Sequence, residues 1–396
     1  MTTLTVDKLE PNMIVSEPVV TKRGQTIVKA GEKLTPQMIA KLTFYKIESA
    51  TVEDIEEEAP VEEVPAPVQE ETPEPKKTKP AQKEKKKEVD LAHPKEAVKQ
   101  SYTQIPYTQR LKASPTFQKF QSDYAINLAF LQKNFDDILA GATCSTDEML
   151  KNCESLFKSK TTIELLNMLG NMRNLEDPVY SHSLNVGLIS RVIGKWLKLP
   201  LEDVNLLTLA GLLHDIGKTQ IPKEILNKPD KLTDEEFATM KTHTTLGKKV
   251  LNGKGFDPRI LYAALQHHER CDGSGYPRGL EEDEIDDFAC IVAIADVYDA
   301  MTSARAHRDP LCSFQVISEF EREGLHKFKT KYILTFLEHI ANTYNNSRVM
   351  LNDAKTGRVV YINKSSLSRP VVQLDSGEII NLADSAYSNF FIKSIL

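Results

Sequence analysis

The chain has 396 residues, enough for two or three domains, and its 40% hydrophobic and 27% charged residues are ordinary for a globular protein. A net charge of −6 gives no general case for binding nucleic acid or a membrane surface. Five scattered cysteines (Cys144, Cys153, Cys271, Cys290, Cys312) form no CxxC pair and read as reduced thiols; "MTTLTVDKLEPNMIV" lacks the form of a signal peptide, and no run of about 18 apolar residues offers a transmembrane helix, so the expected location is the cytoplasm.

Residues 1–51 read as a small α+β unit. "MIVSEPVV" and "QTIVKAG" have strand patterns with Arg23-Gly24 as the turn between them, and "TPQMIAKLTFYKI" opens on Thr35 and Pro36 as a helix does. Residues 52–95 read as a disordered charged linker. Ten acidic residues and no basic one stand between Glu53 and Glu74, seven lysines and one glutamate between Lys76 and Lys87, and seven prolines punctuate 60–94, so the segment has too little apolar surface to fold. The basic block offers a surface to nucleic acid or acidic lipid; the plainer reading is a solvated tether whose two charge blocks partly neutralise each other.

Residues 96–345 carry helical periodicity in "INLAFLQKNFDDILAG", "EMLKNCESLFKS", "TIELLNMLGNM" and "SLNVGLISRVIGKWLKL". "VNLLTLAGLLHDIGK" is apolar almost all round and should be a central helix. This segment is expected to be an all-α domain. Residues 346–396 switch to short β patterns, "RVVYINKS", "RPVVQL" and "EIINLA", with turns expected at Thr356-Gly357 and Asp375-Ser376-Gly377, forming a small β appendage. The chain as a whole is expected to be mainly α.

The informative residues are polar ones on apolar helices. His214 and Asp215 end the most hydrophobic helix, and burying both is costly unless something neutralises them. His182 lies on the preceding apolar helix, His243 opens the next amphipathic one, His267 and His268 follow "ILYAALQ", and Asp296 sits inside "CIVAIADVYDAM". Neighbours on a helix point about 100° apart, so one ion would struggle to use both members of a His-His or His-Asp pair. Two ions side by side would use them, with a carboxylate as bridge. A set of imidazoles and carboxylates without sulfur suits iron, manganese or zinc and is unlike a structural zinc site. Paired metals are one means of hydrolysing phosphoesters.

This set, with "HDIGK", "HHERCDGSGYP" and "IADVYDAMTSARAHR" in the same order, resembles the HD-GYP family of bacterial phosphodiesterases over roughly residues 115–345. The resemblance implies an HD-type helical bundle that hydrolyses cyclic di-GMP. It implies that His182, His214, Asp215, His243, His267, His268 and Asp296 hold two divalent ions, iron or manganese, with Asp215 bridging. It implies catalytic roles for Asp215 and Lys218, Lys218 contacting the scissile phosphate, and substrate contacts from Tyr276, Arg305 and Arg308. Arginine suits phosphate as a bidentate donor and lysine as a point charge. The GYP loop is tied in this family to partner proteins, above all diguanylate cyclases carrying a GGDEF motif, and a homodimer is compatible with the sequence. Family members with a third metal carry a glutamate four residues before the first histidine; here that position is Pro178, which favours two ions and linear pGpG over GMP as main product.

Around these residues, Glu269 reads either as a hydrogen-bond partner of a liganding histidine or as an exposed helix-end carboxylate, and Asp299 as a support for Asp296 or the arginines. His93, His326 and His339 read as solvated or packing residues, and His307 as either a packing residue or part of the substrate pocket. Two other functions compete with the first: a different HD-superfamily nucleotide phosphohydrolase, and a non-catalytic scaffold that docks cyclases.

Overall fold

The computed structural model describes residues 2–10, 12–20, 26–34, 38–39, 42, 47–53, 111–158, 160–172, 178–303 and 310–396. Most of the linker expected at 52–95 is therefore outside the described residues, as is the Arg23-Gly24 turn.

At the N-terminus, β1 (Thr2–Thr5) pairs antiparallel with β4 (Ser49–Val52), Thr2 opposite Val52. The two segments expected to be strands shorten to β2 (Val19–Val20) and β3 (Thr26–Val28), which pair with each other. Val15, Val28, Leu34, Leu42 and Val52 form a small apolar core of their own. The helix expected over 35–47 falls largely outside the described residues; Met38, Ile39 and Leu42 are helical.

The helical region begins with α1 (Pro115–Leu139), where the Ser114 side chain accepts from Phe117 N and Pro115 sits where a missing N–H costs nothing. It continues through α2 (Thr146–Phe157), α3 (Thr162–Asn171), α4 (Pro178–Trp196) and α5 (Leu201–Leu213). Then come α6 (Asp234–Lys241), α7 (His243–Leu251), α8 (Pro258–Gln266), α9 (Asp287–Thr302), α10 (Ser313–Glu319) and α11 (Thr330–Thr343). The expected central helix is α5: it packs on α4, α8 and α9, and Leu207, Leu209, Leu212 and Leu213 are all buried. Each such leucine contributes about 1.5–3 kcal/mol by leaving water. Among the described residues no helix is long and apolar enough to cross a membrane.

The C-terminal region is a five-stranded antiparallel sheet in the order β8-β7-β6-β5-β9, made of β5 (Arg348–Leu351), β6 (Thr356–Tyr361), β7 (Val371–Leu374), β8 (Ile379–Asn381) and β9 (Ile392–Ile395). Val349, Leu351, Val359, Val372 and Ile392 join the same apolar core as the helices. The turn at Asp375-Ser376-Gly377 is present, with Gly377 at φ 92°. The turn expected at Thr356-Gly357 is not: both residues lie in β6, and the corner falls earlier, at Ala354 with φ 67°. Gly357 serves a close approach instead, since a Cβ there would stand 2.4 Å from the Gln373 carbonyl oxygen on β7.

Candidate metal centre

Five segments of the helical region converge on one buried cluster. His182 lies on α4, His214 and Asp215 directly follow α5, His243 opens α7, His267 and His268 follow α8, and Asp296 sits inside α9. His214, Asp215, His243 and His267 have no exposed surface. The chain turns sharply after Asp215 into a 3-10 turn, Ile216–Gln220, that rests on the start of α7. Glycine at 217 makes this possible: a Cβ there would stand 1.9 Å from the His243 carbonyl oxygen. The contact sets Asp215 beside His243.

The imidazoles are aimed by their outer nitrogens. Nδ1 of His214 donates to Gly211 O at 2.7 Å, Nδ1 of His243 to Met240 O at 2.7 Å, and Nδ1 of His267 to Ala263 O at 3.0 Å. A carbonyl can only accept, so these bonds place the proton on Nδ1 and leave each Nε2 with a bare lone pair facing inward. The Nε2 atoms of His243 and His267 then stand 3.3 Å apart with no proton between them, which is repulsive without a cation. His214 Nε2 and Asp215 Oδ1 are buried and have no hydrogen-bond partner.

His182 is held differently. Its Nδ1 bonds Asp299 Oδ2 at 2.7 Å and its Nε2 lies 3.0 Å from Asp296 Oδ1. Asp299 Oδ1 in turn accepts from Asn185 Nδ2 at 2.8 Å and from Ser303 Oγ at 3.1 Å. Burial pulls the His182 pKa down, but the carboxylates of Asp296 and Asp299 outweigh it and push the imidazole up to about 10. On the other side burial outweighs the pull of the nearby carboxylates, lowering His243 to about 4 and holding His267 and His268 below the ordinary imidazole range. Burial alone would raise Asp215, yet His214 and the Lys218 ammonium, 2.5 Å from Oδ2, keep its carboxyl well below the usual range.

The donors form two outer trios, linked by a third group, His214, Asp215 and His267, whose ligand atoms are also close enough to share an ion. His182, His214 and Asp296 have ligand atoms close enough to share one ion, and so do His243, His267 and His268. Asp215 stands between: Oδ2 faces His214 Nε2 at 3.3 Å and His182 Nε2 at 3.7 Å, while Oδ1 faces His243 Nε2 at 3.4 Å and His267 Nε2 at 3.6 Å. Converging bare lone pairs and an orphaned carboxylate oxygen are what a transition-metal site needs. The cluster is able to bind metal.

The loop after α8 closes one side. Tyr276 N donates to His268 O at 3.2 Å, and the Tyr276 ring stacks on His268 with centroids 4.7 Å apart. Glu269, only 2% exposed, takes neither role foreseen for it. Its carboxylate accepts from Arg278 N at 2.8 Å and Leu280 N at 3.0 Å, stapling the far arm of the loop. Asp299 supports His182, not Asp296.

All seven residues expected to hold metal are thus together, with Lys218 against Asp215 and Tyr276 against His268. Arg305, Arg308 and His307 lie outside the described residues. The buried Asn185, which donates to Asp299, is what sequence reasoning left without a role, while Asp299, expected to support Asp296 or the arginines, bonds His182.

An HD domain family model matches residues 152–329. A cyclic di-GMP phosphodiesterase of Thermotoga maritima is 41% identical over 178 residues, 44% of this chain and 48% of the relative. One from Pseudomonas aeruginosa is 33% identical over 204 residues, 51% of this chain and 49% of the relative. A 3'3'-cGAMP-specific phosphodiesterase of Vibrio cholerae is 37% identical over 172 residues, 42% of this chain and 40% of the relative. The chain thus spans half or less of the length of these curated relatives. Residues 152–329 thus match an HD domain, and the donor cluster and the HHERCDGSGYP loop both lie within that match.

Proposed function

We propose that the HD domain is a two-metal phosphodiesterase that opens cyclic di-GMP to linear pGpG. The observation that carries this reading is the division of donors about Asp215, one carboxylate oxygen facing each trio. Two divalent ions, iron or manganese, would be held by His182, His214 and Asp296 on one side and by His243, His267 and His268 on the other, with Asp215 shared. When bound, such a pair activates water and offsets the charge that develops in an in-line displacement at phosphorus.

The chain's own residues supply the rest. Lys218 Nζ, beside Asp215, places a fixed positive charge where a phosphate oxygen would enter. The outer-nitrogen bonds of His182, His214, His243 and His267 hold the rings in register, so little reorganisation is needed during the reaction. Tyr276 walls the site beside His268, and Arg305 and Arg308 hold substrate phosphate. Pro178, in place of the glutamate of three-metal relatives, favours stopping at pGpG. The exposed Asp272, Ser274, Pro277 and Arg278 leave the loop a face for a partner, which we take to be a GGDEF diguanylate cyclase.

The test is anaerobic incubation of protein loaded with iron(II) or manganese(II) with cyclic di-GMP, separating products over time. Accumulation of pGpG is expected; no turnover with two ions bound would overturn the reading. The resemblance to the Vibrio cholerae enzyme gives a second substrate, 3'3'-cGAMP, which the same assay ranks by kcat/KM.

A further inference from the structure

The line of rings does not end at the imidazoles. Beyond His268 comes Tyr276, stacked on it with the planes 25° apart, and beyond Tyr276 comes Phe237 on α6, edge-on at 6.4 Å. Lys241, one turn further along α6, brings its ammonium to 5.1 Å from the Phe237 ring centre and 6.0 Å from that of Tyr276. Neither Phe237 nor Lys241 has a part in the metal centre described above. A lone exposed aromatic needs no explanation. Phe237 is not alone: it leaves 47% of its surface in water, stands nearly perpendicular to the Tyr276 ring and has a cation against it.

The shelf is also rigidly placed. Helix α6 starts in a capping box between Thr233 and Glu236, and Glu236 is held by Lys228 at 2.6 Å. Its last residue, Lys241, is two positions before His243, so the register of the helix ties the rings to the cluster.

We propose that Phe237 and Lys241 form, with Tyr276, a shelf on which a purine base of the substrate stacks while its phosphodiester reaches the metal centre. The identity of the substrate rests on the phosphodiesterase reading; the shelf itself rests on the ring geometry. Flat bases stack on aromatic side chains without needing hydrogen bonds, and an ammonium beside the stack suits the adjoining phosphate. Phe237 is therefore a residue that sets affinity for the base and leaves the chemical step alone.

The probe is a cyclic dinucleotide with 2-aminopurine in place of one base, whose fluorescence falls on stacking, read in the first milliseconds after mixing with the metal-loaded protein. Wild type is expected to quench it. Phe237→Leu, which keeps bulk and apolarity, is expected to lose most of the quench and to raise KM about 10-fold with kcat unchanged, the scale of one lost stacking contact. Phe237→Tyr should restore both. No quench in wild type, or equal quench and KM in wild type and Phe237→Leu, overturns the shelf. A quench that depends on Phe237 in a protein that hydrolyses no cyclic dinucleotide overturns the phosphodiesterase reading and supports the shelf.

Discussion

The two trios about Asp215 are built on different principles. His182, His214 and Asp296 include a carboxylate, and His182 leans on a second one, Asp299. The trio of His243, His267 and His268 is all imidazole, and two of its rings are aimed by the backbone carbonyls of Met240 and Ala263. The first side is anionic and keeps a proton on His182; the second is neutral and already deprotonated by burial. One cluster thus offers two ions unlike places: one where charge attracts the ion but a proton must leave, and one where the lone pairs are ready but little charge draws the ion in.

The largest effect should come from removing what the two sides share. Asp215→Asn keeps the shape but deprives both trios of a charge, and turnover of cyclic di-GMP should fall about a thousand-fold or more, since bound metals supply several kcal/mol. Metal content, read by elemental analysis, should drop with it. Full activity in that variant would refute the shared role.

Asp299→Asn should break the symmetry instead. It removes the charge that orients His182 and touches nothing in the second trio, so one ion should bind about 10- to 100-fold more weakly while the other is unaffected. Equal weakening of both, measured by metal titration, would contradict the separation of the two sides.

The proton on His182 sharpens the same contrast. In metal-free protein this imidazole, raised to about 10, adds stability at pH values below its unfolded pKa, and that contribution is lost as pH rises through about 10. A metal entering the first trio must displace the proton, so affinity there should rise about tenfold per pH unit between roughly 7 and 9, while the second trio, with His243 near 4, should show almost none of this dependence. Calorimetric titration in buffers of different ionisation enthalpy reads the released proton directly; none released would contradict the assignment.

The smallest effect belongs to the loop over the second side. Glu269→Gln cannot serve both loop amides as well as a carboxylate does, and stability to denaturant should fall by about 1–3 kcal/mol. An unchanged midpoint would mean the loop is held by its other contacts.

The donors were legible because imidazole and carboxylate on apolar helices have few inexpensive explanations. The partition about Asp215 was not, because helical spacing says only that neighbours diverge and is silent on which helix each one faces. Backbone carbonyls leave no mark in sequence, so the groups that fix the His214, His243 and His267 rings could not be foreseen. Glu269 reads as adjacent to the histidines, yet the chain turns it towards the amides of Arg278 and Leu280. In the C-terminal sheet, Gly357 resembles a turn residue and is instead a point of close strand contact, while β5 and β9 pair across some forty residues that no local pattern connects. At the N-terminus, β1 and β4 were missed for the same reason, being partners from opposite ends of the unit.

The most direct test of a shared carboxylate between two unlike sites is anomalous diffraction from crystals of the manganese-loaded protein. Two peaks are predicted, one among His182, His214 and Asp296 and the other among His243, His267 and His268, with Asp215 between them. A single peak, or a second one away from these residues, would contradict the account.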